Sequence, residues 1–201
     1  MAFEQYIKDK KAFVFGLDNV LYPEKDYLLQ VYYLFSEFLS YTEQLDSAKI
    51  IEFMQSAYQD AGAQDIFEKT SAKFNIPSKY KANFLLLHQN ARLPLKLLLF
   101  QQVLLLLQEI VLERKAIFLL VDGDPIQQLN KIKQMEWNGL EKYLKVYFSA
   151  EFEPKPSAQS IAYLIGENLL EKEDILMIGN TLEDEAYAQK VDINFIFASK
   201  L

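Results

Sequence analysis

Two patterns of apolar residues alternate along the chain. Short uninterrupted runs occur at Ala12–Phe15, Ala116–Val121, Val146–Phe148, Ile175–Ile178 and Ile193–Phe197. Each has strand length, and continuous apolar character is the mark of parallel strands buried on both faces. Between the later runs lie helix-sized stretches. Asp124–Met135 opens with Asp-Pro, a capping residue followed by proline at the first helical position, and Pro156–Asn168 also opens with proline. Strand, helix and strand in this order predict crossover units and a covered parallel sheet.

The interval between the first two runs is far longer than one crossover needs, and its pattern is helical throughout. Leu28, Val31, Phe35, Phe38 and Leu39 fall at helical spacing, as do Ile50, Met54, Ala57, Tyr58 and Ala61. Gly62 and the Asn75–Pro77 stretch supply breaks between helices. The expected organisation is therefore an α/β fold, a Rossmann-like parallel sheet flanked by helices and carrying an inserted all-helical domain. The boundaries read as 1–22 and 96–201 for the core and 23–95 for the insertion.

Composition narrows the function classes. Hydrophobic residues make up 51% of the 201 positions and charged residues 24%, which suits a packed globular chain. The formal net charge is −7 without a basic block, so nucleic acid is not an expected partner. The absence of cysteine removes disulfides, thiolate nucleophiles and thiolate metal sites. Leu93–Leu112 is leucine-rich, but Pro94, Lys96, Gln101, Gln102, Gln108 and Glu109 interrupt it, so no membrane span is expected. No targeting segment is read at the N-terminus, and the expected location is cytoplasmic.

In open parallel sheets chemistry gathers at the carboxyl ends of the strands. The four informative segments are Gly16-Leu17-Asp18-Asn19-Val20-Leu21-Tyr22-Pro23, Val121-Asp122-Gly123-Asp124-Pro125, Pro154-Lys155-Pro156 and Gly179-Asn180-Thr181-Leu182-Glu183-Asp184. Each alone has a structural reading. Asp18 and Asn19 suit a turn, Asp124 a helix cap, Lys155 a solvated surface position, and Thr181 with Asp184 a capping box. His88, the one histidine, lies in the apolar stretch Phe84–His88 and reads as packed or solvated rather than catalytic.

Taken together and in order, these segments resemble the haloacid dehalogenase-like (HAD) superfamily of phosphatases and related hydrolases, whose first motif reads Asp-x-Asp-x-Thr or Val. The resemblance spans nearly the whole chain and makes the insertion similar to that superfamily's helical cap. It implies an aspartate nucleophile that forms an aspartyl-phosphate, and a second aspartate two residues on as general acid and base. A hydroxyl after the second strand and a lysine would hold the phosphoryl oxygens, and carboxylates after the fourth strand would complete a magnesium site.

By that resemblance the catalytic positions are Gly16, Asp18, Val121 and Lys155. Substrate would meet Val121, Asp122, Gly123 and Lys155, and magnesium would meet Asp18, Asn180 and Asp184. Asp18, Lys155 and Asp184 keep the family's residue types. Gly16 stands where the nucleophile belongs, Val121 where the hydroxyl belongs, and Asn180 where a metal-facing carboxylate belongs. The concerted losses point to a catalytically impaired protein with weak or absent magnesium, binding a small ligand or a protein partner. The alternatives are an active phosphatase or related hydrolase of a small phosphorylated metabolite such as a nucleotide, with Asp18 as general base, and a structural or oligomer-forming role with an inert cleft.

Overall fold

A computed structural model describes residues 3–153 and 157–201. In chain order its main elements are β1 (Ala12–Phe15), α1 (Glu24–Glu43), α2 (Ser47–Ala61), α3 (Ile66–Phe74), α4 (Lys81–Asn90), α5 (Gln101–Leu112), β2 (Ala116–Val121), α6 (Pro125–Gln134), β3 (Leu144–Phe148), α7 (Gln159–Asn168), β4 (Ile175–Gly179), α8 (Leu182–Val191) and β5 (Asn194–Phe197). The five strands form one sheet in the order β3-β2-β1-β4-β5, and every neighbouring pair is parallel. β1 lies at the centre, with Phe15 in register with Leu119 on one side and Ile178 on the other.

The chain divides into two compact units. One holds the sheet: the N-terminal residues to Pro23, Leu98–Gln128 and Met135–Leu201. The other is helical and comprises Glu24–Leu97 with Leu129–Gln134.

In the sheet unit, period-two alternation sends successive side chains to opposite faces. Val14, Phe118, Leu120, Tyr147 and Met177 bury against Ile161 and Leu164 of α7 and Tyr187, Ala188 and Val191 of α8. Phe13, Phe15, Ile117 and Leu119 are equally buried on the alternate positions, and α5 contributes buried Val103, Leu106, Leu107 and Ile110. Removing one of these larger side chains leaves a cavity in a close-packed interior and costs about 2–5 kcal/mol.

In the helical unit the packing is aromatic. Leu28, Val31, Phe35 and Leu39 of α1 are buried as their spacing predicts. The Phe35 ring meets Phe84 at 5.0 Å and Phe67 at 6.0 Å between centroids. Ile50 and Met54 of α2 are buried, but Ala61 is exposed because the helix ends there. Gly62 closes α2 at φ 69° with its N–H donating to the Tyr58 carbonyl, and Asn75 closes α3 in the left-handed region, as the break signals predict.

His88 is packed rather than solvated. Its ring lies 4.6 Å from Phe84 and about 6 Å from Tyr27 and Tyr32. Burial, with the Lys131 ammonium as a smaller contribution, lowers its pKa to about 4, so it is neutral at pH 7. Burial also pushes the Tyr32 phenol well above its ordinary value, with Tyr58 and Glu24 adding to the effect.

The strand boundaries show what a periodic reading misses. β1 and β2 match the sequence expectation, and β4 extends it by Gly179. The edge strands shift: β3 begins at Leu144 rather than Val146, and β5 at Asn194 rather than Ile193. Edge strands have partners on one side only and tolerate polar residues, so Lys145 and Asn194 pair in the ladder without an apolar signature. The leucine-rich stretch contains the single helix α5, and among the described residues no helix is long and apolar enough to cross a membrane.

Candidate functional site

The site lies within the sheet unit, at the carboxyl ends of β1, β2 and β4. Gly16, Asp18, Asp122, Thr181 and Asp184 all line one cavity of about 700 Å³. The parallel register explains the convergence, since strands that end level deliver their following residues to one edge.

The tail of β1 is a tight turn. Asn19 takes the left-handed conformation at φ 58°, its N–H donates to the Tyr22 carbonyl at 3.0 Å, and Leu21 N–H donates to Leu17. Asn19 is thus the turn former, and it leaves Asp18 directed by side chains. The Tyr22 hydroxyl donates to Asp18 Oδ1 at 2.6 Å, and the Gln128 amide donates to Asp18 Oδ2 at 3.2 Å. Tyr22 is fully buried, so this carboxylate is held by a donor that itself cannot move far.

Gly16 presents no side chain to the cavity. A Cβ built there would lie 3.1 Å from Val20 Cγ2 and make only ordinary contacts otherwise, so the backbone accommodates a side chain if Val20 yields slightly.

After β2 the roles divide differently from the expectation. Val121 is 1% exposed, pairs with Phe148 in the ladder and is not among the cavity-lining residues. Gly123 turns the loop at φ 101° and does not line the cavity either. Asp122 does, and its Oδ1 accepts from the Ser149 hydroxyl at 2.5 Å, while the same hydroxyl reaches the Val121 carbonyl at 3.1 Å. Asp124 is a helix cap, its Oδ1 accepting from the N–H groups of Ile126 and Gln127 at 2.8 and 3.2 Å.

The tail of β4 begins with a close approach. A Cβ on Gly179 would fall 2.6 Å from Asp184 Cβ and 2.8 Å from Phe195, so only glycine fits. Thr181 then caps α8. Its hydroxyl accepts from Asp184 N–H at 3.0 Å, and Asp184 Oδ2 accepts from the N–H groups of Asn180 and Thr181 and from the Thr181 hydroxyl at 3.0, 3.1 and 2.9 Å. This is a complete capping box, as the spacing predicts. Asn180 is exposed and does not line the cavity.

Magnesium requires near-octahedral hard oxygen donors. Here Asp18 has both carboxylate oxygens engaged by Tyr22 and Gln128, Asp184 Oδ2 is occupied by the capping box, and Asn180 offers a neutral amide. Among the described residues no group of three histidines or acids is placed to hold a metal ion. The residues present do not fit the metal.

Lys155 lies outside the described residues. The sequence reading also missed four participants, among them Lys190 on the cavity wall. Gln128 is 7% exposed, donates to Asp18 and to the Asp122 carbonyl, and its Oε1 is buried without a hydrogen-bond partner among the described residues. Its signal was faint, a glutamine one turn after the Asp124 cap. Ser149 follows an edge strand, where the apolar pattern gives no guide. Tyr187, on the cavity wall, shares a hydrogen bond with Ser160 at 3.1 Å and looks in the sequence like any helical aromatic.

No curated protein matches the chain by sequence. Among solved structures it is similar to a hydrolase from Streptococcus pneumoniae (17% identity, TM-score 0.54, covering 94% of this chain and 92% of that one). It is also similar to a HAD phosphatase from Thermococcus onnurineus (18% identity, TM-score 0.56, 93% and 85%). A third, a HAD-type hydrolase structure from Bacillus subtilis bound to magnesium, shares 14% identity (TM-score 0.58, 92% and 85%). At such identities the likeness shows the fold. The profile of the haloacid dehalogenase-like hydrolase family matches residues 13–198, and the chain belongs to that family.

Proposed function

We propose that this chain is a catalytically impaired HAD-like protein that uses its cleft to bind a small ligand or a protein partner. The observation that carries the reading is Gly16. It lines the cavity at the carboxyl end of β1, where the family's nucleophilic aspartate would stand, and it has no side chain with which to form a covalent phosphoryl intermediate. Two further observations support it. Among the described residues the acids around Gly16 bond to neutral partners and to a helix cap and are not arranged for a metal. The position that would carry a phosphoryl-binding hydroxyl is Val121, buried in the sheet.

Among the described lining residues Asp18, Asp122, Glu183 and Asp184 face one ammonium, Lys190. Like charges repel by about 4 kcal/mol at 4 Å with an effective dielectric of 20, so without a metal such a wall disfavours a phosphate dianion. A neutral or cationic ligand suits it better.

The test is turnover of p-nitrophenyl phosphate with magnesium by the purified chain. The expected result is no measurable hydrolysis. Turnover near ~1 per second, at the low end of ordinary enzymes, abolished by Asp18→Asn, would sink the reading and establish an active hydrolase with Asp18 as its base.

A further inference from the structure

The opposite end of the sheet carries the reverse charge. Three segments enter parallel strands side by side: Lys8–Lys11 before β1, Arg114–Lys115 before β2 and Asp174 before β4. Lys8, Asp9, Lys10, Lys11, Arg114, Lys115 and Asp174 line a concavity of about 520 Å³. Five cations and two acids give it a local excess of three positive charges on a chain whose net charge is −7.

These cations are placed rather than scattered. Lys10 Nζ donates to the Glu173 carbonyl at 2.6 Å, and Lys115 Nζ donates to the carbonyls of Ile7 and Lys8. Main-chain carbonyls fix the two ammonium groups without neutralising them, and each keeps at least one N–H for a ligand. Only Lys11 of the five meets a carboxylate within ion-pair distance among the described residues, Asp174 at 3.0 Å. Asp174 is itself held by the Glu171 N–H, and Lys11 and Lys10 further lower its pKa. Arg114 follows the end of α5 in the left-handed conformation at φ 55°, so the α5–β2 turn delivers an exposed guanidinium next to Lys115.

We propose that this concavity is a binding site for a polyphosphate group, either a free short chain or one carried on a larger metabolite. A hollow of this size is small for a folded surface. Its excess of three charges matches a multiply charged anion, and a guanidinium fork beside point-charge ammonium groups is the donor set phosphate oxygens favour.

Titration calorimetry of the full chain with tripolyphosphate, pyrophosphate and orthophosphate tests this. Tripolyphosphate should bind in the micromolar range at low salt, and affinity should fall about tenfold or more between 20 and 200 mM salt, as expected for exposed charges. Orthophosphate should bind at least ~10-fold more weakly, having fewer charges to meet the excess. The pair Lys8→Gln and Arg114→Gln should weaken tripolyphosphate binding by ~10-fold or more, while Asp18→Asn in the cleft should leave it unchanged. Neither Lys8 nor Arg114 makes a side-chain hydrogen bond or ion pair among the described residues, so the pair should melt like the parent chain. Absence of binding at low salt, binding indifferent to the pair, or equal affinity for hexaglutamate would each overturn the assignment.

Discussion

The tails of β1 and β4 end at one cavity, yet they depart from the family pattern in different ways. The β1 tail keeps Asp18, with defined donors on both oxygens, and carries Gly16 two residues before it, at a place where the backbone still has room for a side chain. The β4 tail keeps a carboxylate, Asp184, but turns it inward as the third residue of a capping box. A retained residue type is therefore no evidence of a retained role. Where its hydrogen bonds go decides whether it serves chemistry or the helix terminus.

The comparison is broken most directly by restoring the chemistry. Gly16→Asp alone should raise phosphatase activity by no more than about 10-fold, because the β4 tail still lacks a metal-facing carboxylate. Gly16→Asp, Val121→Thr and Asn180→Asp together should gain nothing over Gly16→Asp alone, because neither Val121 nor Asn180 lines the cavity. The readout is kcat/KM with magnesium. A triple variant well above Gly16→Asp would show that the three positions do share a site, since residues that act as one catalytic unit are non-additive.

The next effect lies outside both tails and sets the conditions for comparing them. His88 has a folded pKa of about 4 against an ordinary 6.5, so between these values the unfolded chain binds more protons than the folded one. Stability contributed by the neutral, partly buried imidazole is present above about pH 6.5 and is lost as pH falls toward 4. The shift amounts to about 3 kcal/mol as an upper figure, and partial exposure of the ring reduces it to ~2. Denaturant melts at pH 7.5 and 4.5 should show the loss, and His88→Phe should flatten that part of the profile. Variants in the tails are therefore best compared at or above pH 7.

At that pH the β4 tail should show its structural role. Thr181→Ala and Asp184→Ala each remove one half of the capping box and should cost about 1 kcal/mol. The double variant should cost less than the sum, because the two side chains bond each other. Asp18→Asn should be milder, since an amide still accepts from Tyr22. If Asp184→Ala were neutral and Asp18→Asn severe, the division of roles between the tails would be reversed.

How much of this was legible in the sequence follows from what each residue type can signal. Central strands buried on both faces write themselves as unbroken apolar runs, so β1 and β2 were readable to the residue, while the edges at Lys145 and Asn194 were not. Asp124 and Thr181 were readable as caps because capping depends on local spacing. Convergence of Gly16, Asp18, Asp122 and Asp184 was readable from strand order and resemblance. The hydrogen bonds from Tyr22, Gln128 and Ser149 were not, because they join positions whose proximity only the folded sheet creates. Nor did the sequence separate Val121, buried in the ladder, from Asp122, which faces the cavity: one residue of register inverts the direction of a side chain.

The smallest expected effect asks whether Gly16 is a chemical loss or a structural requirement. Its φ is not among the positive values in this chain, so the left-handed freedom of glycine is not in use there. Replacing glycine by alanine at a compatible position stabilises by ~0.4–1 kcal/mol through the unfolded state. Against that stands the 3.1 Å approach to Val20 Cγ2, which requires the valine to shift by a few tenths of an ångström. Val20 is 2% exposed, so part of that shift is resisted by its packing. The two terms oppose each other at similar size, and Gly16→Ala should change stability by no more than about 1 kcal/mol in urea melts at pH 7.5. A loss above ~2 kcal/mol would mean that the fold itself demands glycine at the end of β1. Glycine at position 16 would then be a consequence of packing, and the contrast between a β1 tail free to carry a side chain and a β4 tail recruited to a helix cap would fail.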